Sequence, residues 1–145
     1  MKFDDLKNKN LIEEYRVKKE EVEHILEAAR SDIKTARHLL NTDVCWAFNI
    51  AYNAILQAGI ALMNKKGFRP IGEAKHISVI LFLRKALGEK YEAKLDRFDQ
   101  MRRKRHKAVY GLLRNITEYE AKESVEFAEI FVEDIAGVIS EIKTA

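Results

Sequence analysis

The residues best suited to chemistry lie in one basic stretch, Met101-Arg102-Arg103-Lys104-Arg105-His106-Lys107-Ala108-Val109-Tyr110-Gly111. Arginine beside histidine suits RNA cleavage without a metal. A guanidinium stabilises charge that develops on a phosphate, and an imidazole exchanges protons near neutral pH. Arginine and lysine also neutralise phosphates with no chemistry at all. Projected on a helix at about 100° per residue, Phe98, Met101, Ala108, Val109 and Leu112 share one face. Arg105 falls in the middle of that face, where a guanidinium is costly unless it is paired, set in a cleft or placed at an interface. Arg102, His106 and Tyr110, four residues apart, form a ridge along its edge, while Arg103, Lys104 and Lys107 point elsewhere. The plainer alternative is a solvated basic helix whose Arg105 is paired to Asp96 or Asp99.

Helices must position these residues, because nothing else in the chain is strongly patterned. Val22, Ile25, Leu26, Ala29, Ile33, Ala36 and Leu40 recur at three- and four-residue spacing and predict a helix over Leu11–Leu40. Asn41-Thr42-Asp43 breaks it and caps a second helix that runs to about Lys66. That helix carries two stripes rich in small residues, which let neighbours approach closely, so it is expected to be central. Lys66-Gly67-Phe68-Arg69-Pro70-Ile71-Gly72 reads as a loop. A third helix over about Glu73–Ala86 is apolar nearly all round and is expected to be deeply buried. A fourth starts near Glu89 and passes Tyr110, with a kink expected near Gly111. A fifth covers about Thr117–Lys143. Short connections favour antiparallel neighbours, which makes the fold class all-α: an antiparallel four- to five-helix up-and-down bundle. Residues 1–145 form one domain on this reading, with 1–10 loosely packed.

Composition narrows the functions. The chain has 145 residues, enough to bury a core without disulfides or metal. Its charge of +3 does not identify a nucleic-acid binder; the distribution of charge matters more than the sum. The single cysteine, Cys45, excludes an intrachain disulfide and a cysteine zinc cluster. No signal peptide and no run of about 20 apolar residues is apparent, so no membrane is expected and a cytoplasmic location follows. Glu21 with His24 and Glu73 with His76 have the Glu-x-x-His form used by di-iron bundles. The central helix offers no inward glutamate, so no metal and no cofactor are expected. His76 reads as a residue that caps or packs at its helix start, and Trp46, Phe48, Tyr52 and Phe82 read as core.

A series of segments carries a family resemblance: Ala29-Arg30-Ser31-Asp32-Ile33-Lys34-Thr35-Ala36-Arg37-His38-Leu39-Leu40, then Trp46 through Leu56, then Ala61-Leu62-Met63 with Lys66-Gly67, then His76, then Arg105-His106 through Tyr110-Gly111. In that order they resemble HEPN domains of bacteria and archaea over about residues 20 to 135. The resemblance implies a helical bundle that is usually a homodimer. It also implies RNA or nucleotide as ligand and, in many members, metal-independent endoribonuclease activity. Several such members are toxins found beside a small nucleotidyltransferase antitoxin. Their active site is an arginine, commonly followed by a polar residue, with a histidine four to six residues later. Carried over, Arg105 matches the arginine and His106 the polar position, while Tyr110 stands where the histidine belongs. The R-x4-6-H motif is therefore degenerate. Read from Arg103 instead, Ala108 takes the histidine position and Tyr110 is the tyrosine two residues on.

Tyrosine, with a pKa near 10, is a poor base at neutral pH, although it can bind phosphate or stack on a base. His106 shares a face with Arg102 and is the available substitute. The candidate catalytic residues are thus Arg105, His106 and Tyr110, and the candidate RNA- or phosphate-binding residues are Arg102, Arg103 and Lys107. Two functions stay open. One is an RNA- or nucleotide-binding protein, with or without toxin-type RNA cleavage. The other is a non-catalytic interaction module that partners a small nucleotidyltransferase.

Overall fold

In the computed structural model the described residues form six α-helices and a short two-stranded ribbon. The structure describes residues 2–109 and 116–142, the side chains of 107–109 excepted. The longest elements are α2 (Lys19–Leu39), α3 (Val44–Lys65), α5 (Glu92–Val109) and α6 (Glu118–Glu141). The stripe Val22, Leu26, Ala29, Ile33 and Ala36 on α2 is buried as its spacing predicts. Asp43 caps α3 by accepting from the Trp46 N–H at 3.1 Å, and Thr117 caps α6 by accepting from the Glu120 N–H at 3.0 Å.

The start of the chain differs from expectation. Residues 4–8 form α1 (Asp4–Asn8), which seats Leu6 in the core. Phe3 stacks on Phe82 with ring centroids 4.4 Å apart. This end is packed, not loose, because its few apolar residues find partners far along the chain. The helix predicted from Leu11 begins only at Lys19. Before it, β1 (Ile12–Glu14) pairs antiparallel with β2 (Phe68–Pro70), Ile12 opposite Pro70 and Glu14 opposite Phe68. The segment read as a simple loop therefore contains a strand. Gly67, at φ +92°, makes the turn out of α3. Pro70 lacks an N–H and fits a strand with a free edge. Arg69 crosses to Glu13 at 2.6 Å.

α3 is the central helix, in contact with α2, α4, α5 and α6. It is the one helix among the described residues long and apolar enough to cross a membrane by length and composition. Asn49, Asn53 and Gln57 interrupt its apolar stretch, so the sequence shows no unbroken apolar run there. Its small residues are contact surface within the bundle: Ala47, Ala51, Ala54, Ala58 and Ala61 are fully buried. Gly59 shows why they must be small, since a Cβ there would meet Cγ1 of Val79 at 2.7 Å.

The connection through β2 decides where the chemistry sits. Contacts along α3 and α4 (Lys75–Leu87) advance together: Tyr52 meets His76, and Gly59 meets Val79 and Leu83. α4 therefore runs in the sense of α3, and the ribbon is the return leg that permits it. A 3-10 turn at Glu89–Tyr91 follows, and α5 comes back antiparallel to α4, Arg84 bonding Glu92 and Asp96. α6 lies antiparallel to both α5 and α2, through Lys94–Asp134, Lys104–Glu120, Arg30–Glu133 and Arg37–Glu129. α4 is less enclosed than predicted. Val79, Ile80, Phe82 and Leu83 are buried, but Ile77 is 39% exposed because it faces a cleft.

Candidate functional site

The start of α4 and the last turns of α5 meet at a cleft of about 530 Å³, lined by Glu73, His76, Ile77, Arg102, Arg105 and His106, with Tyr52 of α3 against His76 and Arg105. Their convergence follows from the parallel course of α3 and α4, which brings His76 level with Tyr52, and from the antiparallel return of α5. Three of the residues singled out in the basic stretch, Arg102, Arg105 and His106, thus share one cavity.

Arg105 stays on the apolar face by a different device from the one expected. Its guanidinium carbon lies 5.3 Å from the centroid of the Tyr52 ring, a cation–π contact. Neither carboxylate considered for it is its partner. Asp96 accepts from Arg84 at 3.0 Å. Asp99 accepts from Nε of Arg102 at 2.9 Å and from Nε of Arg103 at 3.0 Å. Nε of Arg105 is buried and has no acceptor among the described residues, and Oδ1 of Asn49, one turn before Tyr52 on α3, is a buried acceptor with no donor among them. A buried donor without an acceptor costs free energy. Arg105 itself lines the cleft, where a guanidinium is suited to an acceptor that arrives with a ligand.

Asp99 divides the two preceding arginines. Burial raises its pKa, but the hydrogen bonds and charges of Arg103 and Arg102 outweigh that and hold the carboxyl below its usual range. Arg102, three-quarters buried, is held by this bond and still lines the cleft. Arg103 is exposed, folds back on Asp99 and does not line the cleft. Lys104 is bound to Glu120 on α6. Lys107 lies within α5; its side chain, Tyr110 and the expected kink at Gly111 lie outside the described residues.

Two residues of the site were missed in the sequence. Tyr52, read as core, is fully buried, and its hydroxyl lies 2.9 Å from Nδ1 of His76. Burial raises the Tyr52 pKa, and the nearby Arg105 and Arg102 only partly oppose that. Burial, with the charges of Arg105 and then Arg102, lowers the pKa of His76. His76 does sit at its helix start, where it packs on Tyr52, and the N-cap residue there, Ala74, makes no side-chain cap. The signals were present as a histidine in the family-like series and a tyrosine on the central helix. Nothing in their spacing of 24 residues announces the bond.

No group of three or more His, Cys, Asp or Glu among the described residues is placed to hold a metal ion. Glu21 and His24 are both exposed on α2. What the cleft offers is two guanidinium groups, two imidazoles and the N-terminal end of α4, an arrangement that favours an anion with several acceptor oxygens.

The model of the HEPN domain family matches residues 22–138, from α2 to α6, and the chain belongs to this family. Family members often dimerise and bind nucleotides or RNA. None of the curated proteins matches the sequence.

Proposed function

We propose that this protein is an RNA- or nucleotide-binding HEPN protein that grips a phosphate of its ligand in the cleft between α4 and α5. The observation that carries this reading is Arg105: a guanidinium held against the Tyr52 ring, with a buried Nε that no described residue satisfies, at the edge of a cleft that Arg102 also lines. A phosphodiester supplies acceptor oxygens to Arg105, which has none among the described residues, and adds to the one that Asp99 gives Arg102; the fork of a guanidinium suits such oxygens. Glu73 is the one carboxylate on the rim, and it directs the phosphate toward the arginine side.

Metal-independent RNA cleavage of the toxin type is the catalytic arm of this reading. The ribose 2′-oxygen attacks phosphorus and its proton passes to a base; the bond from phosphorus to the 5′-oxygen breaks, leaving a 2′,3′-cyclic phosphate and a 5′-hydroxyl that takes its proton from water. His106 is the imidazole on α5 beside Arg105 and Arg102 that serves as that base. Arg105 stabilises the charge gathered on the phosphorane oxygens. A second copy of the chain facing the cleft, a small nucleotidyltransferase as partner and a cytoplasmic setting go with this reading.

The test is a titration of labelled single-stranded RNA with the protein in EDTA, read by anisotropy and then on a denaturing gel. Binding that weakens with salt, and cutting that Arg105→Ala and His106→Ala both abolish, support the reading with its catalytic arm. Binding lost in Arg105→Ala with no cutting in any sample leaves a binding protein. Binding unchanged in Arg105→Ala removes the reading, and the interaction module that contributes helices to a nucleotidyltransferase complex replaces it.

A further inference from the structure

We propose that His76 binds the ligand phosphate as a neutral hydrogen-bond donor, its Nδ1 accepting from the Tyr52 hydroxyl and its Nε2–H donating to a phosphate oxygen. The inference rests on the phosphate-binding reading above and names a ligand-binding residue outside the basic stretch.

The argument starts from Tyr52. Its side chain is fully buried, and its hydroxyl has one hydrogen-bonding neighbour among the described residues, Nδ1 of His76 at 2.9 Å. A buried hydroxyl that donates to nothing is costly. Burial also keeps this phenol protonated. The hydroxyl therefore donates and Nδ1 accepts. A neutral imidazole that accepts at Nδ1 carries its proton on Nε2. The opposite tautomer would leave the Tyr52 proton without an acceptor.

The charged form is disfavoured by burial and by the two nearest charges. From α3 it meets Tyr52. From α5 it meets Arg105 and Arg102, whose positive charges lower its proton affinity, together with the imidazole of His106. Before α4 lies the exposed carboxylate of Glu73, the one opposing charge. Desolvation adds to the effect of the arginines. His76 is thus a donor whose role in binding needs no protonation at neutral pH. It lines the same cleft as Arg102 and Arg105, and α4 begins there without a side-chain cap, so its first N–H groups lie at the same end. Two guanidinium groups, a neutral N–H and a helix start together match the several acceptor oxygens of a phosphate.

Nitrogen NMR on labelled protein without ligand reads the tautomer directly: protonated Nε2 and unprotonated Nδ1 at neutral pH are expected. Binding is measured with fluorescein-labelled oligouridine. His76→Ala is expected to weaken it about tenfold, the loss of one hydrogen bond to a charged acceptor. His76→Gln, whose amide N–H reaches the Nε2 position, stays within about threefold of the parent. Tyr52→Phe leaves a mixture of tautomers and a loss between these. If His76→Ala does not fold, His76→Gln and the NMR tautomer decide. Protonated Nδ1, or His76→Ala binding as tightly as the parent while Arg105→Ala has lost binding, overturns the assignment and leaves the phosphate cleft standing. Unchanged binding in both variants removes the phosphate-binding reading and, with it, this role for His76.

Discussion

The guanidinium of Arg105 rests 5.3 Å from the centroid of the Tyr52 ring, and no carboxylate among the described residues pairs with it. The aromatic face offsets part of the cost of carrying a charge on the apolar side of α5 without neutralising it. An ion pair would have spent that charge inside the protein. Left on an aromatic ring at the edge of a cleft, it remains available to an anion.

Arg105→Ala should therefore weaken RNA binding by about ten- to a hundredfold, as expected for a charge-assisted phosphate contact. Arg105→Lys should fall between, because the ammonium keeps the charge and loses the planar fork. Anisotropy titrations checked against thermal unfolding separate this from misfolding. Equal affinity for Arg105→Lys and Arg105→Ala would show that charge at this position has no part in binding.

Arg102 and Arg103 are adjacent and both touch Asp99, yet only Arg102 lines the cleft. Arg102→Ala should lower RNA affinity and reduce the salt slope by about one, while Arg103→Ala should change both much less. The measurement is affinity across a salt series. A larger loss from Arg103→Ala would place the RNA on the outer face of α5.

Most of the fold was legible because buried helices write their period into the chain. The α2 stripe and the caps Asp43 and Thr117 needed only local chemistry. What escaped was set by distant partners. Ile12–Glu14 became a strand because Phe68–Pro70 pairs with it. Leu6 became core, and Phe3 packs against the core because Phe82 of α4 and Phe68 of β2 lie against its ring. The site divides in the same way. Arg105 stood out because its charge fell on an apolar face, a contradiction visible within one helix. His76 and Tyr52 did not, because their bond depends on α4 running in the sense of α3, and three-residue strands leave too faint a pattern to reveal that return.

Stability should fall with acid in two separate windows. His76 has a depressed pKa, so the unfolded chain binds its proton more readily than the folded one. The stability it contributes is whole above the ordinary imidazole value of about 6.5 and is lost as pH falls below it. Asp99 is also depressed, and its contribution is whole above about 3.9 and lost below. Urea unfolding at mildly acidic and neutral pH should show the first loss in the parent and a flatter profile in His76→Gln. Identical pH profiles for the two proteins would mean that His76 is not held neutral by its surroundings.

Gly59 tests the packing that aligns α3 with α4. A Cβ at this position would approach Cγ1 of Val79 at 2.7 Å and Cδ1 of Leu83 at 3.1 Å. Gly59→Val should destabilise the protein by about 1–3 kcal/mol through overpacking, seen as a lower urea midpoint. The displaced α4 should weaken RNA binding as well, since His76 rides on that helix. Unchanged stability would mean that the two helices are less closely packed than described.

The claim that the cleft between α4 and α5 binds RNA is tested most directly by mapping the ligand on the protein. Titrating oligouridine into isotope-labelled protein and following amide and side-chain resonances by NMR locates the contact. Shifts should gather at His76 and Ile77 on α4, at Arg102, Arg105 and His106 on α5, and at Tyr52 beneath them, and should vanish in Arg105→Ala. Shifts confined to α2 and α6, or no shifts at saturating RNA, would contradict it.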